Sequence, residues 1–410
     1  MGASLRLAFS SHGIGYNQCV SPVPRILVLY ATAGAGHRRA AEAIAEQLRD
    51  RAVVAVQDII GFTHPLFRTL YVGGGLGLIT RWPRLYGVAY RVSDKPGFDR
   101  LIRKPRQRAQ QLGAPRLEKA IRAFEPDVIV STHFLSSELC AARRLTQRLT
   151  APLITVITDF EPHHMWQHPG TDLYCAPSEA AAERLIDDGI DPNAIKVTGI
   201  PISAAFHLQP DRTTARDRIG LQPDRPMVLI MGGGLGVGAM EQVAQALQHQ
   251  PLDAQLVFIA GNNRILRRKL KSLSSEWIVR GFVDNMPDWL AAAEGAISKA
   301  GGLAASELLA AGVPTIVPLH LTGHETANAE YFAATGAARI APTADRAVSE
   351  MRQLLADPVQ HQSMIDAAKR AAKPEAAADI AQLALALASA DTHYSLAVTS
   401  YVEHSTLPAS

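Results

Sequence analysis

The chain has 410 residues, 47% of them hydrophobic and 19% charged, with a formal net charge of +3 at pH 7. That length is too great for one ordinary core and implies two domains, and the composition is that of a globular protein rather than a disordered or fibrous one. Three scattered cysteines, Cys19, Cys140 and Cys175, exclude a disulfide framework and a cysteine zinc site and fit a reducing compartment, while no run of about 18 apolar residues is present to cross a membrane.

Residues 1–24 read as a ragged N-terminal extension, because their apolar patch at 5–9 lacks the basic cluster and cleavage site of a leader. Arg25–Tyr30 is a continuous apolar run, followed by Gly34-Ala35-Gly36-His37 and then by Ala41, Ile44, Ala45 and Leu48 at helical spacing. This predicts a strand, a glycine turn and a helix. Further apolar runs at 53–56, Val128–Ser131, 153–158 and 196–198 alternate with helical segments, so the first half, 25–200, is expected to carry a parallel sheet. Residues 201–226, rich in Pro, Asp and Arg, read as a hinge. The pattern then restarts: Met227–Met231, the loop from Gly232 to Gly238, a helix over 239–248 and a strand over 256–260. A second domain over 227–375 is expected, with a helix and tail at 376–410. Two doubly wound α/β domains of this kind hold ligands in the crevice at the carboxyl ends of their strands. Neither glycine loop has P-loop chemistry or the usual dinucleotide spacing, which disfavours an ATPase or a dehydrogenase.

Within the second half, the strand Gly295–Ser298 runs into Lys299-Ala300-Gly301-Gly302-Leu303 and a helix carrying Glu307, and the loop after the next strand brings His324, Glu325 and Asn328. Free N–H groups at the helix start suit a phosphate, and the carboxylates, imidazole and amide suit the hydroxyls of a ribose and a sugar. In the first half, His37 sits at a helix N-terminus, where the positive helix end favours the neutral imidazole that a general base needs. The 153–158 strand ends in Asp159, Glu161, His163, His164, Trp166 and His168. Asp159 is an alternative base; a metal is disfavoured, because Pro162 and Pro169 break the element and no helical His-Glu-x-x-His pattern is present. Residues 61–122 hold thirteen basic side chains against three acidic ones, with aromatic residues among them, including Arg81, Trp82 and Arg84. That pattern suits an anionic bilayer, and nucleic acid offers the same attraction.

Together these motifs resemble the diacylglycerol glycosyltransferases of glycosyltransferase family 28, the monogalactosyldiacylglycerol synthases and processive diacylglycerol glucosyltransferases. The resemblance runs in order through Gly34-Ala35-Gly36-His37, Thr158-Asp159-Phe160 with His163, Trp166 and His168, Val197-Thr198-Gly199-Ile200-Pro201, Met231-Gly232-Gly233-Gly234, Gly281-Phe282, 299–307 and Gly323-His324-Glu325. It implies a GT-B fold, with the last helix crossing back to the first domain, and inverting transfer of a hexose from UDP-glucose or UDP-galactose to diacylglycerol without a metal or other cofactor. By that resemblance Gly233 and Gly234 approach the donor diphosphate, Glu307 the ribose, and His324 and Glu325 the sugar, with Gly301, Gly302, Leu303 and Asn328 also in the donor site. His37 is the base or an acceptor-binding residue of the first domain. Gly36, His163, Trp166, His168, Arg81, Trp82 and Arg84 belong to the acceptor and membrane side. The enzyme is then cytoplasmic, peripheral on the inner face of the cell membrane, with anionic lipids and no nucleic acid as partners. Family members usually carry Lys-Pro-Gly-Gly-Leu-Thr where this chain has Lys299-Ala300-Gly301-Gly302-Leu303-Ala304, and often Pro-Gly-Gln-Glu where it has Thr322-Gly323-His324-Glu325. Two rivals stay open on the residues alone: a nucleotide-sugar epimerase of the same architecture, and a non-catalytic membrane-associated sensor of nucleotide-sugars.

Overall fold

The structure, a computed structural model, describes residues 23–32, 35–69, 92–94, 114, 116–234, 236, 238–318 and 324–389. Arg81, Trp82 and Arg84 lie outside the described residues, as does most of the basic-aromatic segment they belong to. In the first half the elements are β1 (Arg25–Tyr30), α1 (Gly36–Leu48), β2 (Val53–Asp58), the short α2 (Pro65–Arg68), α3 (Leu117–Phe124), β3 (Val128–Ser131), α4 (Phe134–Leu145), β4 (Leu153–Val156), β5 (Leu173–Ala176), α5 (Glu179–Asp187) and β6 (Ile195–Val197). All six strands are parallel, in the order β2-β1-β3-β4-β5-β6. After α6 (Arg212–Ile219) the second half follows as β7 (Met227–Met231), α7 (Met240–His249), β8 (Gln255–Ile259), α8 (Arg264–Leu273), β9 (Ile278–Arg280), α9 (Met286–Ala291), β10 (Gly295–Ser298), α10 (Gly302–Ala311), β11 (Thr315–Pro318), α11 (His324–Ala334) and β12 (Ala338–Ala341). Its sheet, also parallel, has the order β12-β11-β10-β7-β8-β9. Helices α12 (Ala344–Ala356), α13 (Pro358–Ala371) and α14 (Ala376–Ser389) complete the described chain.

The central strands are mostly apolar and buried because helices cover both faces of each sheet, whereas the edge strands carry polar residues such as Gln57, Lys196 and Arg280. Ile26 and Val28 of β1 face Ala41, Ile44 and Leu48 of α1, whereas Leu27 and Leu29 face Leu135 and Leu139 of α4. The expected return of the last helix is present: Ile380, Ala381 and Ala384 of α14 join the core formed by β1, β3 and α1. Residues 201–226, read as a hinge, are instead folded and packed. Phe206, Ala215 and Leu221 are buried in the core of the second half, Asp211 caps α6 by accepting from Thr214 N, and Arg216 makes a bidentate pair with Glu294 at 2.5 and 2.6 Å. The sequence Arg212–Ile219 has almost no apolar stripe, so its one buried arginine and a cap, rather than a hydrophobic face, hold it.

Both sheets reverse their winding direction at one place, between β1 and β3 in the first and between β7 and β10 in the second. Loops leaving the two strands on either side of such a reversal diverge and open a crevice. Here the two crevices face each other. Replacing Ile380, which is fully buried, by Ala should lower stability by about 2–5 kcal/mol in urea unfolding; an unchanged midpoint would mean that α14 does not dock on the first sheet.

Candidate active site

His37 is the second residue of α1, directly beyond the turn that leaves β1, and its ring lies against the end of β3. Its Nδ1 is 2.8 Å from the Thr132 carbonyl oxygen and 3.0 Å from Thr158 Oγ1. A carbonyl can only accept, so Nδ1 carries the proton and donates, and the lone pair of the neutral ring resides on Nε2. The Thr132 hydroxyl in turn donates to the His37 carbonyl at 2.9 Å, tying α1 to the loop after β3. His133 meets the His37 ring edge-on, with centroids 4.5 Å apart. Burial, with the His37 charge adding to it, pushes the His133 pKa well below the ordinary histidine value. A neutral His133, whose Nδ1 accepts from Leu135 N to cap α4, therefore supports the His37 ring without competing for a proton at neutral pH.

The loop after β4 joins the two halves. A Cβ on Gly302 would overlap the Thr158 carbonyl oxygen, so only glycine lets α10 begin there. Phe160 stacks on Tyr331 of α11 with centroids 4.0 Å apart, and its N–H donates to Asn328 Oδ1 at 2.7 Å. Asn328 Nδ2 donates to Asp159 Oδ1 at 3.3 Å. Asn328, expected at the donor sugar, is fully buried in this clamp between the halves. Asp159, the alternative base, is held at the same seam.

On the second half the register pairs Ser298 of β10 with Met231 of β7, which brings the glycine loop after β7 beside Lys299 to Gly302. Lys299 crosses that loop: its Cε would lie 3.2 Å from a Cβ on Gly233, and its Nζ pairs with Glu325 at 2.5 Å. A Cβ on Gly234 would come within 2.7 Å of Ala35 Cβ, so the glycine loops of the two halves approach each other there, and Gly36 faces Leu303. Among the described residues, nothing stands within 4 Å of the Cβ position of Gly301, the N-cap of α10. Between the halves is a cavity of about 790 Å³ lined by residues that include Thr32, Arg39, Gly234, Phe282, Leu303 and Glu307. Glu307 is buried at its wall, and burial pushes its pKa up to about 7 although the charge of Arg39 opposes the shift. The Arg39 guanidinium lies 5.2 Å over the exposed ring of Phe282, so a first-half cation reaches the second-half wall. His324 opens α11.

The structure thus gathers His37, Gly36, Asp159, Gly233, Gly234, Gly301, Gly302, Leu303, Glu307 and Glu325 around the facing crevices. His163, Trp166 and His168, expected on the acceptor and membrane side, are instead buried inside the first half. His163 accepts from Met165 N to cap a short helical turn, and its Nε2 is 3.2 Å from Ser93 Oγ. Trp166 packs beneath His37 and His133 with centroids 6.3 and 6.4 Å away. The residues that sequence reasoning passed over are Thr132, His133 and Arg39, and it left Lys299 without a role. Their signal was position: Thr132 and His133 follow a buried strand directly, as ligand-facing residues in a parallel sheet do. Among the described residues, no group of three or more His, Cys, Asp or Glu is placed to hold a metal ion.

Comparison with known proteins bears on this geometry. Residues 37–202 match the family described as monogalactosyldiacylglycerol (MGDG) synthase, and residues 227–384 match the glycosyltransferase family 28 C-terminal domain. A processive diacylglycerol beta-glucosyltransferase of Bacillus mycoides (strain KBAB4) is 28% identical over 372 residues, covering 88% of this chain and 94% of the relative. A probable chloroplastic monogalactosyldiacylglycerol synthase 2 of Oryza sativa subsp. japonica is 32% identical over 332 residues, 76% of this chain and 69% of the relative. In fold, the chain is similar to Acinetobacter baumannii MurG (TM-score 0.56, 17% identity, 88% of this chain and 99% of that one). It is also similar to the spinosyn rhamnosyltransferase SpnG (TM-score 0.60, 16% identity, 88% and 99%).

The burial of Glu307 has a consequence for stability. Its folded pKa of about 7 exceeds the 4.5 of an ordinary glutamate, so the folded state holds the proton more tightly, and stability falls as pH rises from about 4.5 to about 7. Glu307→Gln removes that loss, and its stability relative to the parent chain should improve by about 2 kcal/mol between pH 5 and pH 8 in urea titrations. A difference that does not change with pH would show that Glu307 ionises normally.

Proposed function

We propose, since the chain belongs to glycosyltransferase family 28 with a monogalactosyldiacylglycerol synthase first half, that it moves a hexose from a UDP-sugar to diacylglycerol at a membrane surface. The product is a β-glycosyldiacylglycerol. The observation that carries this is the hydrogen bond between Nδ1 of His37 and the Thr132 carbonyl, which puts the lone pair on Nε2 of a residue in the first turn of α1, beside Ala35 and Gly36, where the two halves approach each other. The acceptor oxygen forms its bond to the anomeric carbon and gives its proton to Nε2, while the bond to the diphosphate breaks on the opposite face. Charge developing on the leaving UDP meets the open start of α10 at Gly301, the loop at Gly233 and Gly234, and the Lys299 ammonium. With those groups present, the reaction needs no metal or other cofactor. Glu307 bonds the ribose, and Glu325, which holds Lys299 at 2.5 Å, lies beside the sugar together with His324.

The relatives above are named for glucose in one case and galactose in the other, so both UDP-glucose and UDP-galactose are candidate donors. No helix among the described residues is long and apolar enough to cross a membrane, which fits peripheral attachment to the cytoplasmic face of the cell membrane through anionic lipids, without nucleic acid as a partner. The basic-aromatic segment at 61–122 supports that attachment by its composition.

A transfer assay with radiolabelled UDP-glucose and UDP-galactose, diacylglycerol in anionic liposomes, and chromatography of the lipids tests the reaction; labelled glycolipid from at least one donor is expected. His37→Ala should lower turnover by about 100-fold or more with the UDP dissociation constant nearly unchanged, and normal turnover would remove His37 from the mechanism. Glu307→Ala should mainly weaken UDP binding, and unaltered binding would contradict the ribose contact.

A further inference from the structure

Helix α8 is strongly basic. Its sequence Arg264-Ile265-Leu266-Arg267-Arg268-Lys269-Lys271 with Leu270 between contains no acidic residue. Leu266 and Leu270 are buried, and at 100° per residue this turns Arg264, Arg268, Lys271 and Ile265 toward solvent. All four are exposed, and Ile265 retains 77% of its surface. Lys269 pairs with Glu241, whereas among the described residues Arg264, Arg267, Arg268 and Lys271 form no ion pair. The start of the helix is fixed to the rim of the cleft: Asn263 caps it by accepting from Leu266 N, and Asn263 Nδ2 donates to the Gly236 carbonyl at 3.1 Å. The neighbouring Asn262 lines the cavity.

We propose that the outward face of α8 is an electrostatic contact of the second half with an anionic membrane. It sits at the mouth of the cleft, outside the basic-aromatic segment of the first half. Uncompensated cations gain from a negative surface, and the gain falls with salt. The exposed isoleucine set between Arg264 and Arg268 selects a bilayer over nucleic acid, because an aliphatic side chain gains by entering the headgroup boundary, whereas single strands are held by aromatic stacking platforms. With both halves on one surface, the cleft opens next to the lipid phase. This inference rests on the reading that the acceptor is a lipid.

The test uses the full chain. Its sedimentation with vesicles of phosphatidylcholine alone, or of phosphatidylcholine with about 30% phosphatidylglycerol, is compared for the parent, the triple variant Arg264→Gln, Arg268→Gln, Lys271→Gln, and Ile265→Ser. The triple variant should lose about tenfold or more in partitioning to anionic vesicles at low salt and behave like the parent on neutral ones. Ile265→Ser should lose a few-fold, most visibly when salt has screened the cations. Parent-like partitioning of the triple variant overturns the proposal, as does loss of binding to a single-stranded RNA oligonucleotide with vesicle binding intact. Transfer to diacylglycerol in detergent micelles, measured in parallel, should be the same for all three proteins. Failure of transfer even by the parent would sink the lipid-acceptor reading on its own, while the vesicle data would still decide the surface.

Discussion

Thr158 ties the two halves together at the place proposed for the chemistry. Its carbonyl packs against Gly302, where no side chain can intervene, and its hydroxyl lies 3.0 Å from Nδ1 of His37. One residue at the end of β4 thereby couples the start of α10, where the donor diphosphate is proposed to sit, to the proposed base. The coupling is stiff because the following residues are held as well: Phe160 by stacking on Tyr331 and Asp159 by the buried Asn328 amide. Positioning within a fraction of an ångström is what an in-line displacement demands, and loops alone rarely supply it.

The electrostatics of the two crevices differ in a way that suits a displacement. Among the described residues, His37 meets a backbone carbonyl, a hydroxyl and a histidine whose burial keeps it uncharged. In the proposed reaction a proton arriving at Nε2 creates an imidazolium that the Thr132 carbonyl stabilises. Across the cleft, Lys299 stands at the glycine loop of the second half and is held by Glu325, while Arg39 reaches over from α1 to the ring of Phe282. In the proposed reaction the departing diphosphate meets a Lys299 ammonium that Glu325 already holds in place.

Much of this was legible in the sequence, because each feature has a local cause. Continuous apolar runs separated by helical spacing identify buried parallel strands, and a glycine turn directly after a strand marks the crevice, so both halves, the glycine loops, His37 and Glu307 could be read off. The strand Leu173–Ala176 was harder: its four residues Leu-Tyr-Cys-Ala are too short to stand out between Pro169 and the helix that follows. The segment at 201–226 looked like a hinge because its prolines and charges mask a short helix held by a buried Arg216–Glu294 pair, a contact 78 residues apart in the chain. The histidines at 163 and 168 and Trp166 have the composition of a site, yet all three are buried, His163 capping a short helical turn and Trp166 packing beneath His37. Which face a polar cluster presents is decided by tertiary packing, and a single sequence does not show it.

The central claim is a single displacement at the anomeric carbon, with His37 taking the proton and UDP leaving from the opposite face. The most direct measurement is the anomeric configuration of the glycolipid made from an α-linked UDP-hexose, read from the proton coupling of the purified product by nuclear magnetic resonance. A β-linked hexose on the free hydroxyl of diacylglycerol is the predicted result. An α-linked product, or release of UDP and free sugar with no glycolipid, would contradict it.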